Sequence, residues 1–91
     1  MVREEDKRQI DKTLELLDQG KVHASFQALC FKCKGKPVRL AIRYAELTAR
    51  LLALQDTYIR QNNQQKAMHY YECLQSIRQY MNELNDKGGE V

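Results

Sequence analysis

Residues 37–61, PVRLAIRYAELTARLLALQDTYIRQ, form the stretch that decides the fold. After Pro37 the stretch contains neither glycine nor proline, and it is rich in alanine, leucine and arginine, which favour helix. Proline suits the first turn of a helix because its missing N–H group would have no intrahelical partner there. The sequence therefore predicts a long helix that begins at Pro37 and ends near Gln61.

Apolar residues cover much of the circumference of this predicted helix. Spacings of three and four residues place one set on a single face: Leu40, Tyr44, Leu47, Leu51, Leu54 and Tyr58. A second apolar face lies beside the first and consists of Ala41, Ala45, Leu52 and Ile59. A helix that is apolar over so much of its surface is predicted to be the central element of the fold.

Three further segments show helical spacing of apolar residues. The first, residues 4–19, ends at Gly20, a natural left-handed cap. The second, residues 22–31, runs into a turn that contains Gly35 and Pro37. The third covers residues 64–85, after the long helix. We therefore expect an all-α fold: a compact bundle of three to four helices with a long central helix, in a single domain of residues 1–86 followed by a flexible C-terminal tail at residues 87–91.

Asn62 and Asn63 separate the long helix from the last one. The matched lengths of the two helices suit an antiparallel hairpin, but the sequence also allows one continuous rod through these two residues. Residues 63–71, NQQKAMHYY, resemble the first helix of a tetratricopeptide repeat. The full repeat pattern is missing from the chain, so the resemblance implies no function.

The chain contains no segment typical of a membrane or secreted protein. Its longest mostly apolar stretch, residues 40–54, is interrupted by Arg43, Glu46 and Arg50, and a bilayer span needs about 20 apolar residues. The first residues are not followed by the apolar run of a signal peptide. The odd number of cysteines, three, argues against a disulfide framework. We expect a cytoplasmic protein that does not contact membranes.

Positive charge is concentrated in the middle of the chain, although the net charge is only +3. Residues 20–60 contain eight basic residues and two acidic ones. The predicted basic cluster joins an exposed turn to a solvated stripe of the long helix, and its members are Lys32, Lys34, Lys36, Arg39, Arg43 and Arg50. Such a cluster can bind phosphate or an acidic protein surface. The alternative is a solvated helix face without a binding role, partly neutralised by Glu46 within the stripe.

Cys30 and Cys33 form a C-x-x-C pair just before the glycine-containing turn. With His69 and Cys73, which lie four residues apart on the last helix, they could complete a tetrahedral zinc site if the turn reached that helix. Cysteine also behaves as a small buried hydrophobe, and a redox pair is a third interpretation, although the chain lacks the strand–helix–strand context of a thioredoxin-like motif. We expect inert thiols and no metal or other cofactor.

Catalysis has little support in the sequence, which lacks a glycine-rich phosphate loop, a nucleophile in a clear arrangement with histidine, and paired carboxylates on a buried face. We therefore expect that the protein is not an enzyme.

Four helices from so short a chain can hardly cover both apolar faces of the long helix, and uncovered apolar surface usually marks a protein partner or a homodimer interface.

Two functions follow as hypotheses. The first is a non-catalytic protein-interaction module, such as an adaptor, a small inhibitor or a chaperone-like cofactor, that uses an apolar helix surface with a basic rim. The second is a nucleic-acid-binding protein that contacts phosphates through the basic cluster. The affinity of a protein for nucleic acid falls steeply with salt concentration, whereas the affinity of an interface centred on apolar burial does not.

Overall fold

A computed structural model describes residues 2–87 of the chain. These residues form four helices: α1 (Glu4–Asp18), α2 (Val22–Leu29), α3 (Pro37–Arg60) and α4 (Gln64–Asp86). The predicted all-α bundle with a long central helix is confirmed, because α3 packs against each of the other three helices. Apart from Lys87, the predicted tail at residues 87–91 lies outside the described residues.

The turn between α1 and α2 is the one that Gly20 predicts. Gly20 has a φ of 77°, and the N–H groups of Gly20 and Lys21 donate to the carbonyl oxygens of Leu17 and Leu16 at 3.0 and 2.9 Å. This pair of bonds is a Schellman motif, which satisfies the last carbonyls of a helix. The chain reverses there, so α2 packs along α1.

The turn between α3 and α4 settles the choice between a hairpin and a rod. Asn62 takes a left-handed φ of 58°, which asparagine tolerates better than most residues, and the N–H of Asn63 donates to the carbonyl of Tyr58 at 2.8 Å. The side chain of Asn63 then accepts a hydrogen bond from the N–H of Lys66, at 3.2 Å, and so caps α4. The two long helices therefore form an antiparallel hairpin.

The hydrophobic core lies between the pair α1–α2 and the pair α3–α4. Its aliphatic members are Ile10, Leu17, Leu29, Leu40, Leu47, Leu51, Leu74 and Ile77. Three of them, Leu40, Leu47 and Leu51, belong to the first predicted apolar face of α3, which the other helices cover. Within the described residues, no helix combines the length and the apolar character needed to cross a membrane.

Candidate functional site

The three lysines of the predicted basic cluster lie on the turn between α2 and α3. Lys32, Lys34 and Lys36 are all exposed, as expected. The ammonium group of Lys32 is 5.4 Å from the centroid of the Phe31 ring, and Lys36 is the N-cap residue of α3. These lysines are therefore available to a partner.

Arg43 does not lie where the sequence places it. The spacing predicts that Arg43 lies on the solvated stripe of α3, but its side chain is 0% exposed. Its Nε donates to Oδ1 of Asp6 at 2.7 Å, and its Nη1 donates to the carbonyl oxygens of Leu29 and Phe31 at 3.0 and 2.7 Å. A buried guanidinium must be paired in this way, because removing it from water is costly. The prediction that Arg43 faces solvent with the other arginines is wrong, and the residue offers no surface to a partner or a phosphate.

Arg39 and Arg50 also contact carboxylates, although both stay partly exposed. The Nη1 of Arg39 lies 3.5 Å from Oδ1 of Asp6, and its side chain is 19% exposed. The guanidinium of Arg50 donates to Asp11 and lies 3.9 Å from Oε1 of Glu46. Two carboxylates thus offset the charge of Arg50, whereas Arg39 shares a carboxylate that Arg43 already neutralises. Of the predicted basic cluster, the three lysines and Arg39 are therefore the members that keep positive charge at the surface.

Asp6 is the residue that organises these contacts, and the sequence interpretation missed it. Its Oδ2 accepts a hydrogen bond from the backbone N–H of Arg3 at 3.1 Å. Burial by itself raises the pKa of this carboxyl, but hydrogen bonds from Arg43 and from the Arg3 backbone, with the charges of Arg43 and Arg39, outweigh burial and lower the pKa. A signal for this position exists, because Asp6, Ile10, Thr13 and Leu17 share the buried face of α1.

A groove lies where the first turn of α1 meets the beginning of α3, and we call it the basic groove. Its lining residues are Arg3, Asp6, Gly35, Lys36, Pro37, Val38, Arg39 and Ile42. Basic side chains and apolar ones are mixed in this set, and α3 begins in it without a side-chain N-cap. The groove therefore combines positive charge with apolar walls.

The second predicted apolar face of α3 is not covered by the other helices. Together with Val38 it forms what we call the outward face: Val38, Ala41, Ala45, Leu52 and Ile59. Val38, Leu52 and Ile59 are 72%, 48% and 54% exposed, and both alanines are exposed as well. At the hairpin end this surface continues onto α4 through a shallow groove that includes Ile59, Met68 and Tyr71. The expectation that so short a chain leaves apolar helix surface uncovered is confirmed.

The four residues of the hypothetical zinc site are not brought together. His69 Nε2 lies 3.7 Å from Cys73 Sγ, but within residues 2–87 no group of three or more histidine, cysteine, aspartate or glutamate side chains could hold a metal ion. Cys30 and Cys33 instead lie near Arg43, on the turn that follows α2. The hypothesis that Cys30, Cys33, His69 and Cys73 form one site is wrong, because the described residues do not gather them into a cluster of metal ligands.

The three cysteines are not bonded to one another, and their environments hold them in the thiol form. Burial raises the pKa of Cys30 to about 11, with a further contribution from Cys33. Burial likewise raises the pKa of Cys73 to about 11, with contributions from Asp18 and Glu72, and it raises the pKa of Cys33. Since the thiolate is the reactive form, these groups are poor nucleophiles at neutral pH.

Comparison of the chain with models of protein families, with characterised proteins and with solved structures gives no match.

Proposed function

We propose that this chain is a non-catalytic protein-interaction module that pairs with a second copy of itself through the outward face of α3. One observation carries the proposal. Val38, Ala45, Leu52 and Ile59 recur every seven residues on the exposed side of a helix whose opposite side forms the core. Apolar residues with this repeat line up along the contact when two helices pack together, and exposed apolar patches often mark interfaces.

The dimensions and side-chain sizes of α3 suit such a pair. The helix contains 24 residues and is therefore about 36 Å long. In an antiparallel pair with its two-fold axis near Thr48 and Ala49, Leu52 of one copy meets Ala45 of the other, and Val38 meets Ile59. Each large side chain of the central layer then packs against a small one, which favours close approach of the helices. The arrangement is isologous, as in most homodimers.

Asp56 lies on the outward face itself, four residues after Leu52 and three before Ile59, and Arg60 offsets its charge. Asp56 and Arg60 are exposed near the end of α3, and Arg60 Nε lies 3.0 Å from Oδ2 of Asp56. These two residues neutralise each other across one helical turn, so they bring no net charge to the interface.

The state of the thiols fits a non-catalytic role, for example that of an adaptor, a small inhibitor or a chaperone-like cofactor. Cys30 and Cys73, with pKa values near 11, stay protonated at neutral pH and lack the thiolate that a cysteine-dependent enzyme needs. The unbonded cysteines also support a cytoplasmic location, because thiols stay reduced there.

Sedimentation velocity of the wild-type protein and two variants tests the self-pairing. Leu52→Glu puts a charge at the centre of the outward face, and Ala53→Glu puts the same charge about 100° away around the helix, at another exposed position. We expect the mass of two chains for the wild type and for Ala53→Glu, and the mass of one chain for Leu52→Glu, with equal helicity by circular dichroism. A wild-type mass of one chain at every concentration, or equal masses for the two variants, would contradict the proposal.

Nucleic-acid binding is the second candidate function, and the exposure of Lys32, Lys34 and Lys36 favours it. Fluorescence anisotropy of labelled single- and double-stranded DNA, at low and physiological salt, tests it with the wild type and a variant in which all three lysines become glutamine. Binding that falls steeply with salt and is lost in the variant would support this function. Absence of binding at low salt would exclude it.

A further inference from the structure

The charges that line the basic groove do not cancel. Arg3, Lys36 and Arg39 contribute three positive charges to its lining, whereas Asp6 is the acidic residue there. Asp6 is already paired with the buried Arg43 at 2.7 Å. Over residues 2–87, ion pairs within 4.0 Å include none made by Arg3 or Lys36. The groove therefore keeps an excess of positive charge, and it also faces the positive end of the α3 dipole.

The apolar part of the groove limits the kind of anion that fits it. Pro37, Val38 and Ile42 form its apolar walls, and Val38 is largely exposed in the isolated chain. A phosphate backbone gains little from contact with these side chains, and the lining contains no aromatic ring on which a base could stack. An acidic residue next to an apolar one in a polypeptide satisfies both parts of the groove.

We propose that the basic groove binds an acidic segment of a partner protein, with a carboxylate between Lys36, Arg39 and Arg3 and a neighbouring aliphatic side chain against Pro37 and Ile42. This inference rests on the proposed function, since it names the chemistry of a partner for a protein-interaction module. The groove shares only Val38 with the outward face of α3, whereas Arg3, Lys36 and Ile42 belong to the groove alone.

Anisotropy of a fluorescein-labelled short peptide of alternating glutamate and leucine tests the inference at low salt. Two matched peptides, one with glutamine for glutamate and one with serine for leucine, separate the charged contribution from the apolar one. A labelled oligothymidine of similar length measures binding of a phosphate backbone. We expect the glutamate–leucine peptide to bind at least about tenfold more tightly than each of the other three probes.

The chain offers a closely matched control for the groove. Lys36 and Lys21 are both exposed N-cap residues, of α3 and α2 respectively, and neither caps its helix through its side chain. We expect Lys36→Glu to weaken peptide binding by at least about tenfold, and Lys21→Glu, which lies at the other end of α1, to leave it within about twofold of wild type. Arg3→Glu should resemble Lys36→Glu.

Four results would overturn the inference: no binding of the glutamate–leucine peptide, equal binding of the glutamine–leucine peptide, equal effects of Lys36→Glu and Lys21→Glu, or tighter binding of oligothymidine. Measuring the mass of the same samples keeps the two proposals apart. A mass of two chains without peptide binding removes the groove inference alone. A mass of one chain with peptide binding intact removes self-pairing alone.

Discussion

Arg43 Nε lies 2.7 Å from Asp6 Oδ1, and this ion pair is closed off from water, with side chains 0% and 3% exposed. The pair joins the middle of the chain to the first turn of α1. Through Nη1, Arg43 also donates to the carbonyl oxygens of Leu29, the last residue of α2, and of Phe31 on the turn that follows. One side chain of α3 therefore holds three helices together beside the basic groove.

Removing the arginine should destabilise the fold strongly. Arg43→Met leaves the carboxylate of Asp6 buried without its main partner, and breaking a buried pair in this way costs about 3–5 kcal/mol. We expect the free energy of unfolding, measured by urea denaturation, to fall by about this amount. Arg60→Met is the control, because Arg60 forms an ion pair with Asp56 in which both side chains are largely exposed.

The control should lose less than about 1 kcal/mol, as exposed ion pairs usually do. Replacing both partners, Asp6→Leu with Arg43→Met, should cost less than the sum of the two single changes, because no unpaired charge remains. Additive losses, or equal losses for Arg43→Met and Arg60→Met, would mean that the buried pair does not hold the helices as described.

The lowered pKa of Asp6 predicts a loss of stability in acid. A carboxyl whose pKa is lower in the folded than in the unfolded chain stabilises the fold fully above its ordinary pKa of 3.8 and loses this contribution as the pH falls through the folded value. We expect the urea midpoint of the wild type to fall as the pH drops below the ordinary pKa of 3.8. Asp6→Asn should be less stable at neutral pH and show a shallower decline, and parallel curves for the two proteins would contradict this assignment.

The cysteines should react slowly in the folded protein. Raising the pKa of Cys30 and Cys73 from 9.0 to about 11 lowers the thiolate fraction at neutral pH roughly a hundredfold. We expect alkylation by iodoacetamide at neutral pH to be at least about tenfold slower in native protein than in protein unfolded by guanidinium, with Cys33, which is 0% exposed, the slowest. Mass spectrometry after timed quenching gives the rates, and equal native and unfolded rates would show that the thiols are not sequestered.

Zinc should not stabilise the protein, because Cys30 and Cys33 lie apart from His69 and Cys73. A structural zinc site contributes its binding energy to folding, so a zinc-dependent domain unfolds when the metal is removed. We expect the same melting temperature in excess zinc and in excess chelator, and no stoichiometric metal by elemental analysis. A melting temperature that falls on chelation would restore the zinc hypothesis.

The fold is predictable from local signals in the chain. Gly20 marks the end of α1, Pro37 marks the beginning of α3, and the spacing of Leu40, Leu47 and Leu51 identifies the covered face of the central helix. The exposure of the second apolar face follows from the same periodicity, because the other helices of so short a chain cannot cover both apolar faces of α3. These features depend on residues close together in sequence, where propensity and spacing are informative.

The position of Arg43 could not be predicted in the same way. Spacing alone groups it with Arg39 and Arg50, yet it lies between Leu40 and Leu47 near the buried side of α3. Its burial depends on Asp6, 37 residues earlier, and on how α1 packs against α3. Asp6 occupies a core position of α1, and two opposite charges at core positions of different helices are the signal that would have indicated the pair.

The proposed dimer depends on the packing of Leu52 of one copy against Ala45 of another, a contact that isotope-filtered NMR detects. In a mixture of ¹³C-labelled and unlabelled chains, we expect intermolecular nuclear Overhauser effects between the methyl groups of Leu52 and Ala45, and between those of Val38 and Ile59. No such signals should appear in the Leu52→Glu variant. An absence of intermolecular signals from these methyl groups at concentrations where the wild type has the mass of two chains would show that the copies do not pair through the outward face.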